Sequence, residues 1–198
     1  MLQNINHLAF ITNDLEKTIR FYRDLLGMKL STGIGRNGYR HYFFQLADGA
    51  SHVAFFEYEE ATLMEKKFPG ERTDKPLGFD HVSFTVHSKR ELFNLKDRVE
   101  AAGFPVHGAV DHGIIWSVYF FDPNNIPLEV SWACLELTKI PAIEDEKPIN
   151  IVSEGAEPQK GVWPDVTNPT LESDMIAKSG NGQPMRQSFL NQGIARTR

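Results

Sequence analysis

The chain is poor in cysteine, in basic charge and in long apolar runs, and each shortage excludes a class of protein. Cys134 is the one cysteine among 198 residues, which excludes a disulfide-held fold and a cysteine-rich zinc module. The net charge of -5 disfavours a nucleic-acid binder, which needs a basic face. No apolar run approaches the ~20 residues of a membrane span, and the N-terminus has no signal-peptide core. We therefore expect a soluble cytoplasmic protein that binds neither nucleic acid nor membrane.

Phenylalanine is nearly absent from the last third of the chain. Of the 14 phenylalanines, 13 precede residue 134, whereas six of the 11 prolines follow it. This shift predicts a compact domain over residues 1–135 and an extended, partly disordered C-terminal tail over residues 136–198. The alternative for the tail is an ordered arm around Val162, Trp163 and Pro164, packed on its own domain or on a partner.

An internal repeat runs through the compact part of the chain. Apolar and polar residues alternate over residues 5–11 and again over residues 79–86, and His7 and His81 stand at equivalent places in the two segments. Such alternation, with β-branched residues among the apolar ones, is typical of a strand. The two halves therefore begin in the same way.

Each predicted strand is followed by a predicted helix. Asp14 is a candidate N-cap in the first half, and Ser88 with Glu91 forms a capping box in the second. Gly27 and Gly103 stand where the C-terminus of a helix favours a left-handed residue. The halves therefore share one plan through their first two elements.

Further strands follow each helix, with turn residues between them. The predicted strands are 41–46, 52–58, 114–121 and 126–132, and the predicted turns lie at Gly33, Gly35, Gly38 and residues 122–125. Each half is then a βαβββ module, at about residues 3–60 and 77–133. We expect an α+β fold in which the two modules form a cupped eight-stranded mixed sheet with the helices outside.

Alternation along the strands sorts their side chains into two faces. The apolar face suits the helix layer, and the opposite face carries His7, His81 and Glu129 among small or polar neighbours. Two imidazoles and one carboxylate are good ligands for first-row divalent metals, and three ligands leave positions open for substrate. The residues alone leave two interpretations open: a metal site, or hydrogen-bonded and solvated side chains.

Four segments resemble the vicinal oxygen chelate superfamily, which includes glyoxalase I, bleomycin-resistance proteins, fosfomycin-resistance enzymes and extradiol ring-cleavage dioxygenases. They are INHLAF from Ile5, FYRDLLGM from Phe21, FDHV from Phe79 and FDPNNIPLE from Phe121. The resemblance covers about residues 3–133. It implies paired βαβββ modules around a divalent metal whose ligands are His7, His81 and Glu129.

Two residues resemble the extradiol dioxygenases in particular. Tyr119 stands ten residues before Glu129, as does a tyrosine that those enzymes place beside the metal. His112 is similar to their upstream histidine. The resemblance implies an Fe(II) enzyme that cleaves a small aromatic diol with dioxygen, with Tyr119 and His112 as catalytic residues. In one departure, the histidine that two-domain members carry between the modules is missing, because none occurs between His52 and His81.

Two rival functions depend on the last strand of the first module. The repeat places Phe55 opposite Glu129, so Phe55 and Phe121 are predicted to line the substrate pocket. Glu57 is the alternative, as the fourth ligand of a glyoxalase-like isomerase or lyase that uses Ni(II), Zn(II) or Mn(II) instead of Fe(II). A non-enzymatic binder of an aromatic drug is the third possibility, and the complete ligand set argues against it.

We also expect a homo-oligomer. The sequence leaves open whether one cup is built from one chain or from two.

Overall fold

The computed structural model describes residues 5–36, 39–74, 79–143, 150–157, 159, 161, 164–180 and 182–197. The chain divides into two compact units, Met1–Leu135 and Glu136–Arg198. Both halves of the internal repeat, and all of the predicted site residues, belong to the first unit.

The first half of the repeat folds as one sheet with one short helix. Its elements are β1 (His7–Thr12), α1 (Leu15–Ile19) with a π-helical continuation (Arg20–Leu25), β2 (Lys29–Arg36), β3 (Tyr39–Gln45) and β4 (His52–Glu57). The strand order is β1-β4-β3-β2. β1 is parallel to β4, and the other two pairs are antiparallel.

The second half repeats this topology. Its elements are β5 (Val82–Thr85), α2 (Lys89–Ala101), β6 (His107–Asp111), β7 (Ile115–Phe121) and β8 (Pro127–Ala133). The strand order is β5-β8-β7-β6, with β5 parallel to β8. The α+β class and the two βαβββ modules are thus confirmed, with the eight strands divided between two four-stranded sheets.

The predicted helix ends are confirmed. The Asp14 side chain accepts the N–H of Lys17 at 2.9 Å, and Ser88 and Glu91 form a reciprocal capping box. Gly27 and Gly103 both have positive φ, at 79° and 87°. These local signals hold because they depend only on residues a turn apart.

The βαβββ plan requires a further strand directly after each helix, whose bounds were not predicted. β2 contains Gly33 and Gly35, so their assignment to turns is wrong, and Gly38 lies outside the described residues. A Cβ on Gly33 would lie 2.6 Å from the Tyr42 ring on β3. Glycine at this place therefore serves close approach between strands and does not mark a turn.

The core lies between the two sheets and their helices. As alternation predicts, Leu128 and Val130 of β8 are buried in it, together with Leu92 and Val99 of α2. Side chains of α1 and its continuation join the modules, since the Phe21 ring lies 4.9 Å from Phe104 of the second half.

A buried polar network also joins the modules. Thr12, at the end of β1, donates to the side-chain oxygen of Asn124 at 2.7 Å. The Tyr22 hydroxyl donates to Asp122 at 3.2 Å. Buried polar groups need such partners, so the two contacts fix how the modules meet.

The second unit has little regular structure among its described residues. It contains two 3₁₀ turns (Asn150–Glu154 and Glu172–Asp174) and the helix α3 (Gln183–Asn191). Val162 and Trp163, the centre of the predicted arm, lie outside the described residues. Across the part of the chain that is described, no helix is both long and apolar enough to cross a membrane.

Candidate metal and substrate site

Glu129 lies in the middle of β8, between two neighbouring strands. Its register partners are Ser83 on β5 and Tyr119 on β7. The Nε2 atom of His81 lies 2.9 Å from Glu129 Oε2, and the Tyr119 hydroxyl donates to Glu129 Oε1 at 3.2 Å. Glu129 is only 5 % exposed, and both of its carboxylate oxygens have hydrogen-bond partners.

His81 is held between two carboxylates. Its Nδ1 atom lies 2.6 Å from Asp80 Oδ2, on the side opposite Glu129. A carboxylate that accepts the Nδ1 proton leaves Nε2 as the ligating nitrogen, which is how metal-binding histidines are generally held. The His81–Glu129 pair thus has the donor chemistry of two neighbouring metal ligands.

Tyr119 connects this pair to His112. The Nε2 atom of His112 lies 2.7 Å from the Tyr119 hydroxyl, so a hydrogen-bonded chain runs from Asp80 through His81, Glu129 and Tyr119 to His112. The turn after β6 carries His112, which is why its imidazole reaches across to β7.

The surroundings of this hydrogen-bonded chain of side chains favour a charged Glu129 and a protonated Tyr119. Burial raises the pKa of Glu129, but the hydroxyls of Ser117 and Ser83 and the His81 imidazole outweigh it, and the net pKa is lowered. Burial raises the pKa of the Tyr119 hydroxyl, and the Glu129 carboxylate contributes to the rise. At neutral pH Glu129 can act as an anionic ligand and Tyr119 as a hydrogen-bond donor.

An aromatic wall adjoins Tyr119. The ring of Phe68, from the segment that connects the modules, lies 6.3 Å from Tyr119 and 6.1 Å from Phe121. The Nζ atom of Lys66 lies 5.5 Å from the Phe121 ring centre. Phe121 thus lies on the face of β7 where a pocket wall was expected, beside Tyr119.

His7 lies on the exposed face of the other sheet. Its ring is 5.3 Å from Phe43 and 6.4 Å from His41. His41 stacks on Phe56 at 3.6 Å, and its buried Nε2 has no hydrogen-bond partner among the described residues. Burial lowers the pKa of His41, and His7 adds to the shift. This face is therefore rich in histidine and aromatic rings.

The three expected metal ligands do not meet within one chain. In the described ranges, no group of three or more His, Cys, Asp and Glu side chains is placed to hold a metal ion. His81 and Glu129 are in contact, whereas His7 belongs to the first sheet and contacts Asn6, His41 and Phe43.

Phe55 does not lie where the sequence analysis placed it. It pairs with Phe10 across β1 and β4, is 0 % exposed and packs against Tyr22 with a ring separation of 4.8 Å. Its side chain fills the core under the sheet, where a substrate does not reach. The alignment of the two halves of the repeat put Phe55 on the wrong face, because the register of β4 turns its side chain toward the π-helical continuation of α1.

Glu57 also points toward the helix. One carboxylate oxygen accepts the N–H of Leu15 at 2.9 Å, and the other forms an ion pair with Arg40. The carboxylate satisfies the start of α1, and both of its oxygens are engaged. This placement removes the basis for Glu57 as a fourth metal ligand in the described structure.

Sequence reasoning missed two residues that the structure brings into the site. Neither Asp80 nor Lys67 was expected in the site, yet Lys67 forms an ion pair with Asp80. The Asp–His adjacency was the available signal for Asp80. Nothing in the sequence indicated Lys67, since its place depends on how the connecting segment folds back.

Comparison with known proteins assigns the fold to a family. The model of the Glyoxalase/Bleomycin resistance protein/Dioxygenase superfamily matches residues 4–130. The glutathione transferase FosA of Serratia marcescens is 30% identical over 136 residues, which are 66% of this chain and 81% of that protein. The metallothiol transferase FosB of Lysinibacillus sphaericus is 31% identical over 140 residues, 68% of this chain and 86% of that protein.

Solved structures agree on the fold. A glyoxylase/bleomycin resistance protein/dioxygenase domain from Frankia sp. has a TM-score of 0.58 at 24% identity, covering 67% of this chain and 99% of that one. A mutant of the fosfomycin resistance protein FosX of Listeria monocytogenes has a TM-score of 0.52 at 20% identity, covering 69% and 96%. With the family model spanning both βαβββ modules, this chain belongs to the glyoxalase/bleomycin resistance protein/dioxygenase superfamily, also known as the vicinal oxygen chelate superfamily.

Proposed function

We propose that this protein is a divalent-metal enzyme that cleaves a small aromatic diol with dioxygen, in the manner of an extradiol dioxygenase, with Fe(II) as the metal. The observation that carries the proposal is the chain from Glu129 through Tyr119 to His112, with contacts of 3.2 and 2.7 Å. It joins the hydroxyl of Tyr119 on β7 and the carboxylate of Glu129 on β8 to the imidazole of His112, which follows β6.

Two of the three expected ligands have the chemistry of a metal site. The His81–Glu129 pair offers an imidazole nitrogen and a carboxylate oxygen 2.9 Å apart, and Asp80 fixes the imidazole from behind. His81, Glu129 and His7 would hold the ion. When bound, a divalent metal of this kind supplies Lewis acidity that favours ionisation of a diol hydroxyl and gathers the reactants.

The remaining chemistry belongs to side chains of this chain. The Tyr119 hydroxyl hydrogen-bonds to a substrate oxygen beside Glu129. When a diol hydroxyl ionises, Tyr119 would accept its proton while passing its own proton to His112 Nε2, and the reverse transfers would return it. Phe68 and Phe121 flank Tyr119 and provide an apolar surface for an aromatic ring. An aromatic wall of this kind suits a diol on a ring better than a small, strongly hydrated substrate.

We propose further that a second copy of the chain supplies His7. The face around His7 carries partly exposed rings and the apolar side chains of Ile11 and Tyr58, which are 54 % and 42 % exposed. A copy whose His81 and Glu129 meet that face would complete a three-ligand site and cover the rings. A symmetric homodimer would contain two such sites.

The activity is tested on full-length protein loaded anaerobically with Fe(II). A panel of catechols is added with oxygen, and oxygen uptake is followed together with the absorbance of a ring-opened product. We expect uptake with at least one diol, and none from protein loaded with Zn(II), which has no redox chemistry. Absence of uptake with every diol, from protein shown to hold iron, would contradict the proposal.

A metal-dependent thiol transferase is the second candidate function. It is favoured by the names of two relatives, a glutathione transferase and a metallothiol transferase, at 30% and 31% identity. Consumption of fosfomycin with glutathione or cysteine by the Mn(II)-loaded protein would support it.

A glyoxalase-like isomerase loses support because the Glu57 carboxylate accepts the first N–H of α1. Action in the cytoplasm remains a prediction from the sequence.

A further inference from the structure

Asp80 lies outside the expected ligand set, yet its carboxylate has three partners. It accepts from His81 Nδ1 at 2.6 Å and from the N–H of Gly70 at 3.0 Å, and it forms an ion pair with Lys67. Lys67 and Gly70 both belong to the segment that connects the two modules. Three different groups therefore converge on a side chain that is itself 43% exposed.

This convergence has a chemical consequence for His81. An imidazole binds a metal through one nitrogen only when the other carries the proton, so the group on Nδ1 decides which nitrogen is free. Asp80 accepts at Nδ1, and Nε2 then faces Glu129 at 2.9 Å. When Nε2 binds a metal in place of its hydrogen bond to Glu129, the Asp80 carboxylate thus keeps the remaining proton on Nδ1 and fixes the orientation of the ring.

The connecting segment holds Asp80 in place. Lys67 Nζ also donates to the Phe68 carbonyl at 3.2 Å, so the ammonium is tied to its own segment as well as to Asp80. Phe68 then packs on Tyr119. Residues 67–70 therefore contact the site at two places: at Asp80, behind His81, and at Tyr119.

We infer that Asp80 is a positioning residue for the metal site and that residues 67–70 clamp it there. The inference rests on the proposed metal-binding role of His81. It states that metal affinity depends on an acidic residue that does not touch the metal, and that this residue is held by a segment outside both βαβββ modules.

The test uses full-length protein and measures the affinity for Zn(II), with the fold monitored by melting temperature. Asp80→Leu, which cannot accept the Nδ1 proton, should weaken Zn(II) binding about 10- to 100-fold, the usual effect of losing such a partner. Asp80→Asn keeps an acceptor without its charge and should recover part of that loss. Lys67→Met should cost less than Asp80→Leu, because the bond to His81 survives. Asp74→Asn, on an exposed aspartate of the same segment, is the matched control and should bind as the native protein does.

A second readout separates positioning from general stability. Nitrogen-15 NMR of the Zn(II)-loaded protein reports which His81 nitrogen carries a proton, and we expect Nδ1–H in the native protein and its loss as a dominant form in Asp80→Leu. Native affinity and an unchanged tautomer in Asp80→Leu would overturn the inference. Failure of the metal site itself is recognised differently: His81→Ala would then also keep native Zn(II) affinity.

Discussion

Tyr119 and Glu129 show how neighbouring side chains can hold two acids in opposite protonation states. Both residues are partly or fully buried on the same face, yet the pKa of Glu129 is lowered and that of Tyr119 is raised. Burial raises the pKa of Tyr119 and the Glu129 charge adds to the rise, whereas at Glu129 the surrounding hydroxyl and imidazole groups outweigh the effect of burial. An anionic ligand and a neutral donor therefore stand side by side.

Tyr119→Phe tests the donor role at this scale. The substitution removes only the hydroxyl, so metal content should stay near the native level. Turnover of the active diol should fall about ten- to a thousandfold, the range for loss of one well-placed donor. Steady-state rates and metal analysis on the same preparations check both statements. A variant with native turnover would show that Tyr119 is only a packing residue.

At the scale of single elements, the helix caps were predicted correctly from the sequence, whereas features that depend on the register between strands were not. The caps at Asp14 and Ser88 depend on a few neighbouring residues, so the sequence contains all that is needed to predict them. The face of Phe55 depends on how β4 pairs with β1 and β3, and the alignment of the two halves of the repeat could not supply that register. Gly33 was misassigned for the same reason, since its neighbour Tyr42 belongs to another strand.

Glu57→Ala tests the role that the structure gives to this carboxylate. It should remove the acceptor for the Leu15 N–H and the partner of Arg40, and so lower stability by roughly 1 kcal/mol, as loss of a helix cap does. Metal content and turnover should remain near native once the fold is intact. Thermal melting and metal analysis provide the measurements. Loss of the metal with an unchanged melting temperature would restore the glyoxalase-like interpretation.

At the scale of the whole molecule, the internal repeat made the two modules and the division of side chains between faces predictable. His81, Glu129, Tyr119 and His112 meet as their positions in the second module suggested. The place of His7 relative to them could not be predicted from the sequence, because it depends on how one sheet packs against the other. Lys67 was missed because the connecting segment has no repeat partner, whereas Asp80 was missed although its adjacency to His81 was an available signal.

The most direct measurement is the metal content of His7→Ala, of Glu129→Ala and of the two variants after equimolar mixing and subunit exchange. His52→Ala, on the same sheet face as His7 but outside the expected ligand set, serves as the control and should keep its metal. Each of the two ligand variants alone should lose stoichiometric metal, because a two-ligand site binds weakly. The mixture should regain part of it, since one of its sites then combines an intact His7 with an intact Glu129. Native metal content in both separate variants would contradict the assignment of the site, and loss in each without recovery on mixing would contradict its sharing between two copies.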